Sequence, residues 1–135
     1  MIMWMYLLIA CTGKQASPKL KNRLGSDFAN RIFLSSNYTL SVWNGAPADP
    51  LKLRPAEQLA VQKFLRSPDS YVFSANVRCR LRPDRVLELQ EDGRSYQILF
   101  SHKDHCPKMR FVSADKQETL SLKPEAHKRF QTYIR

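Results

Sequence analysis

Glycine is scarce in this chain, four among 135 residues, and that scarcity removes a group of functions. Phosphate-cradling loops and nucleophile elbows need glycine where the backbone takes positive φ or approaches a ligand closely. None of those signatures is present, nor is a paired-carboxylate motif or a zinc-protease helix. Histidine is limited to His102, His105 and His127, so imidazole bases are few. His127, between Ala126 and Lys128, reads as a surface residue. The chain is therefore expected not to be an enzyme and to need no cofactor. Long apolar runs are missing too. Met1–Ala10 covers about half of the roughly 20 residues that a membrane-spanning helix requires. Acidic residues are the third shortage: 12 Asp and Glu face 22 Lys and Arg, a net charge of +10. Such a field favours acidic partners, although the cations are spread along the chain as they would be on a solvated surface.

What is present begins with Met1-Ile2-Met3-Trp4-Met5-Tyr6-Leu7-Leu8-Ile9-Ala10-Cys11. The run has the length of a secretory h-region, ends on Leu8-Ile9-Ala10-Cys11, and turns polar at once. It resembles the lipobox of bacterial lipoproteins, in which a signal peptidase cuts before a cysteine that carries diacylglycerol and a further acyl chain such as palmitate. The resemblance implies a signal peptide over 1–10 and lipidation of Cys11. It lacks the usual Lys or Arg before the apolar run, which a translation start upstream of Met1 would supply. Thr12 is not the aspartate that retains such proteins in the inner membrane, so the periplasmic side of the outer membrane is the expected location. Nucleic acid is then not an expected partner. Thr12 to Arg23 is polar and basic, and residues 11–27 read as a flexible tether.

With Cys11 assigned to lipid, Cys79 and Cys106 are an even pair in an oxidising compartment and are expected to form a disulfide. Closing that loop would add about 3–4 kcal/mol on the chain-entropy model.

Residues 28–135 are then expected to form a single globular domain. Arg31-Ile32-Phe33-Leu34 and Tyr38–Trp43, separated by Ser35-Ser36-Asn37, read as two strands. Leu51-Lys52-Leu53 reads as a short strand, with Pro55 opening a helix whose core face carries Ala56, Leu59, Ala60, Phe64 and Leu65. Tyr71 to Leu81 reads as a strand. Val86–Gln90 and Ser95–Ser101 flank Asp92-Gly93, a pair suited to a type I′ turn. That turn sets Leu89 opposite Tyr96 and Leu87 opposite Ile98, with Glu88, Gln90, Ser95 and Gln97 on the other, wet face. A further strand lies near Met109–Val112. The pattern Leu-x-Leu-basic-Pro then recurs at Leu120–Pro124 and leads into a helix with Ala126, Phe130, Tyr133 and Ile134 on one face. The fold class is α+β: an antiparallel sheet with two amphipathic helices packed on one face.

Arg78, Arg80 and Arg82 alternate, so on a strand they would project together while Cys79 and Leu81 face inward. With Arg85, Lys108 and Arg110 they form a candidate ridge for a carboxylate- or phosphate-rich partner. His102-Lys103-Asp104-His105-Cys106 groups metal-ligand types, but a disulfide-bonded Cys106 is no thiolate. His102 and His105 alone make a thin site, so no metal is expected there. The expected function is a membrane-anchored periplasmic binding or inhibitory module, of the hydrolase-inhibitor or toxin-immunity type, with an acidic protein as partner. The alternatives are a structural subunit of an envelope complex, and a metal or small-ligand binder through His102 and His105.

Overall fold

Leu20, Leu24, Phe28 and Ile32 recur at intervals of four residues, and all four are buried. That spacing places them on one side of a helix, and the computed structural model shows two: α1, Pro18–Leu24, and α2, Ser26–Leu34. The structure describes residues 17–34, 37–73, 78–91, 94–114 and 116–134. The lipobox with Cys11, the start of the tether and Asp92-Gly93 lie outside the described residues. Two expectations are corrected here. The tether expected through residue 27 gives way at Pro18 to helix packed on the core, and the strand expected at Arg31–Leu34 is the end of α2. A short apolar run fits either period, and here Phe28, Ala29 and Ile32 complete a buried helical stripe. Gly25 separates the helices at φ +84, its N–H donating to the Lys21 carbonyl, a left-handed position that favours glycine.

The remaining elements are β1 (Thr39–Trp43), β2 (Pro47–Lys52), α3 (Pro55–Arg66), a 3₁₀ turn (Pro68–Ser70), β3 (Tyr71–Val72), β4 (Arg85–Glu91), β5 (Arg94–Phe100), β6 (Lys108–Val112), β7 (Gln117–Leu122) and α4 (Pro124–Tyr133). The seven strands form one antiparallel sheet in the order β2-β1-β4-β5-β6-β7-β3. The β4–β5 register is the expected one, Leu89 opposite Tyr96 and Leu87 opposite Ile98. Alternation then sends Leu40, Leu87, Leu89, Tyr96, Ile98, Phe100, Met109, Phe111, Leu120 and Leu122 to the helix-covered face, where they are buried in one apolar cluster.

Among the described residues four helices, rather than two, supply the cover. Leu20, Leu24, Phe28 and Ile32 come from α1 and α2, Val61, Phe64 and Leu65 from α3, Ala126 and Phe130 from α4. Phe130 packs against Phe64 and edge-on against Phe100, with centroids 4.8 and 4.9 Å apart, a geometry aromatic pairs favour. The core face of α3 is rotated from expectation: Gln58 and Val61 are buried, whereas Ala56 is exposed and Leu59 is 67% exposed. Gln58 is admitted because its amide is satisfied on both sides. Its Oε1 accepts from the Tyr38 N–H at 2.8 Å and its Nε2 donates to the Leu53 carbonyl. His127, expected at the surface, is 4% exposed on the buried side of α4. Both Leu-x-Leu-basic-Pro segments are strand-to-helix junctions, Pro55 and Pro124 each opening a helix.

If α1 is part of the core, Leu20→Ala should lower the unfolding free energy in urea by about 2–5 kcal/mol. A residue in a flexible tether would leave the midpoint unchanged.

Candidate partner-binding site

The strand expected from Tyr71 to Leu81 ends after Val72. Residues 78–84 instead cross the sheet as irregular chain, a strap held at both ends by the loop between β5 and β6. At one end Cys79 is disulfide-bonded to Cys106, with the Cα atoms 5.7 Å apart. At the other, the Asp84 carboxylate accepts the His102 N–H at 2.7 Å and the Lys103 N–H at 3.2 Å. The Asp84 backbone continues the ladder, receiving the Trp43 N–H and donating to the Phe100 carbonyl. Pro83, with no N–H, cannot extend that pairing.

The strap lies on the sheet face opposite the helices. Lys108 occupies that face, because its neighbours Met109 and Phe111 enter the core, and its Nζ donates to the Cys79 carbonyl at 2.8 Å. Ser41, Val86, Leu99 and Arg110 are cross-strand partners along one row of this face. The first three are buried, on a face expected to be mostly wet. The strap explains the difference: Leu81 turns inward and is buried, so the strap and sheet enclose a second, smaller apolar layer. Farther along the strands Glu88 and Gln97 are half-exposed and Ser95 is exposed, as their alternation requires.

Arg78, Arg80 and Arg82 keep their alternation without a strand. All three are exposed, whereas Leu81 is buried and Cys79 half-buried. Among the described residues none of the three enters an ion pair. The other members of the ridge divide. Lys108 is half-buried and engaged with the strap backbone. Arg110 is half-buried beside it, its Nε enclosed and without a hydrogen-bond partner among the described residues. Arg85 falls on the opposite face, since it pairs with Phe100 and Val42, and its guanidinium bonds the Asp84 carbonyl. The site is thus three exposed guanidiniums on a fixed backbone, with Lys108 and Arg110 beneath. Such forks suit bidentate capture of carboxylates. The residue that sequence reasoning missed is Asp84. Its signal was its place after Pro83 at a strand start, where a carboxylate can cap free N–H groups.

His102, His105 and His127 surround the same loop. His105 is exposed, and the Nε2 atoms of His102 and His127 are enclosed without a partner among the described residues. Gln131 of α4 donates to the His102 carbonyl at 3.0 Å. Burial pushes the His127 imidazole below its ordinary value, opposed by a hydrogen bond with the Ser101 backbone and assisted by nearby His105. Among the described residues no three His, Cys, Asp or Glu side chains converge as a metal site requires. No helix among them is long and apolar enough to cross a membrane. Comparison with protein-family models, with curated proteins and with solved structures finds no match for this chain.

Two measurements follow from this geometry. Cys79→Ser combined with Cys106→Ser should lower stability by about 3–4 kcal/mol, and protease should then cut within 78–84 before the core unfolds. Folded His127 resists protonation that the unfolded chain accepts near pH 6.5. Its stabilising effect is therefore complete above that pH and declines as the pH falls below it. Urea midpoints at pH 7.5 and 5.5 should differ less in His127→Gln than in the wild type.

Proposed function

We propose that this protein is a lipid-anchored, non-catalytic binding module of the bacterial envelope, and that it engages an acidic protein surface through Arg78, Arg80 and Arg82. The observation that carries this reading is the strap itself. Three guanidiniums that enter no ion pair among the described residues are presented from a backbone clamped by a disulfide, a carboxylate and a lysine, so little backbone freedom is lost on binding. Guanidiniums stay protonated at every working pH, so the strap suits holding carboxylates rather than transferring protons. The Cys79–Cys106 bond supports an oxidising compartment, which agrees with the lipobox reading of Leu8 to Cys11. Tethering on a membrane would raise the effective concentration of the module towards any partner held in the same envelope. Its action on that partner would be steric, by covering the surface it binds.

The test uses the native host. Cys11→Ser should move the protein from the membrane to the soluble fraction. In the anchored protein, Arg78→Glu, Arg80→Glu and Arg82→Glu together should abolish a specific cross-linked adduct in intact cells. The exposed Lys128→Glu and Arg129→Glu on α4 should leave that adduct intact. An adduct that survives reversal of the strap charges would refute the assignment of the site.

A further inference from the structure

Among the described residues the exposed large hydrophobic side chains are Val42, Leu51 and Leu59, and Leu51 and Leu59 flank the junction between β2 and α3. Val42 and Leu51 lie on β1 and β2, the last two strands at one side of the sheet. Leu51 is 58% exposed, and every residue of β2 is exposed. Leu59 lies on the outward face of α3, in a groove shared with Lys52, Leu53 and Arg54. Lys63 and Arg66 follow it at i+4 and i+7, so the three share one helical face, and all are exposed. The result is a small apolar tip bordered by Lys52, Lys63 and Arg66, none of which enters an ion pair among the described residues.

We propose that this outward face of α3, with the adjoining end of β2, rests on an anionic lipid bilayer. Three features select that occupant. An added β-strand is disfavoured, because Pro47 and Pro50 remove N–H donors from β2 and Asp49, at φ +52, breaks its regularity. A second copy is disfavoured by size, since three aliphatic side chains offer far less than the roughly 800 Å² per partner of a stable interface. A bilayer asks for neither backbone pairing nor shape complementarity. It accepts a few apolar side chains at the acyl boundary while cations meet the head groups. The placement also orients the molecule. The core side of α3 packs on the helix-covered face of the sheet, and the strap lies on the other face, so docking leaves Arg78, Arg80 and Arg82 directed away from the lipid. The inference needs neither the acylated Cys11 nor the partner assigned to the strap.

The experiment follows amide hydrogen exchange in the full chain carrying Cys11→Ser, with the disulfide intact. It is run in buffer, with phosphatidylcholine vesicles, and with vesicles of phosphatidylcholine and phosphatidylglycerol. Exchange should slow in peptides covering residues 47–63 on the anionic vesicles alone, and remain unchanged over 78–84. Lys63→Glu with Arg66→Glu should weaken partition onto those vesicles by about tenfold or more. Leu51→Gln with Leu59→Gln should do so comparably, and both pairs of exposed changes should keep the urea midpoint. Protection over the strap instead, or vesicle binding with no protection over 47–63, would overturn the proposal. So would protection that needs no vesicles and grows with protein concentration, which would assign the tip to self-association.

Discussion

The bond between Cys79 and Cys106 decides what the outer face of this sheet can be. Arg78-Cys79-Arg80-Leu81-Arg82 has the alternation of a half-buried strand, and a strand there would be free to pair along an open edge. The disulfide and the Asp84 carboxylate tie residues 79 and 84 to one loop, so the segment folds over the sheet instead. The alternation then acquires a different use. Leu81 goes down beside the layer of Val86 and Leu99, and the arginines go up into water. A surface that would otherwise leave apolar Val86 and Leu99 exposed becomes a cationic one. Its backbone is fixed by bonds that do not depend on the arginines themselves.

The two faces of the sheet are consequently built by different physics. On the helix side, burial of Leu, Ile, Val and Phe at helical and strand periods supplies the driving force, roughly 1.5–3 kcal/mol for each large side chain removed from water. Polar groups enter only with partners, as Gln58 does through Tyr38 and Leu53. Tyr71 is another such case, its hydroxyl donating to the Leu65 carbonyl. On the outer side the apolar layer is thin, and a covalent link takes over part of the work. That division suits a binding module, because a charged surface cannot be stabilised by burying it.

Much of this was legible residue by residue. Asp92-Gly93 between alternating runs announced the β4–β5 pairing and its register. Proline after Leu-Arg and Leu-Lys marked the starts of α3 and α4, and the count of cysteines left one pair to join. What was not legible depended on partners remote in sequence. The stripe of Leu20, Leu24, Phe28 and Ile32 was obscured by Lys19, Lys21 and Arg23, which make its first turns look like solvated tether. Arg23 gives the resolution: its guanidinium reaches Glu118 at 2.7 Å, so a cation of the supposed tether is fastened to β7. Leu59 was read as core because helical spacing alone cannot say which of two adjacent stripes faces inward. The stripe of Val61, Phe64 and Leu65 faces inward, and Gln58 joins it because its amide is satisfied by Tyr38 and Leu53. Asp84 could not be recognised as a clamp before His102 and Lys103 were known to stand above it.

The charge of +10 looks uniform along the sequence, yet the fold sorts it into classes with different consequences. Arg23, Arg94 and Arg54 are paired with Glu118, Asp27 and Glu57, and Lys108 holds the strap. Exposed pairs of this kind add little to stability, but each removes one cation from the pool available to a ligand. Among the described residues, exposed cations outside these pairs include Arg78, Arg80 and Arg82 on the strap and Lys63 and Arg66 on the outward face of α3, on opposite sides of one sheet. Two like-charged surfaces on a small domain repel one another, and nothing in the core requires either of them. Salt screens that repulsion over about 8 Å, and anionic matter covering either surface would relieve it further. A bilayer at one face and an acidic protein at the other would do that at once, and the spacing between the two surfaces would then set how far from the lipid the partner is held.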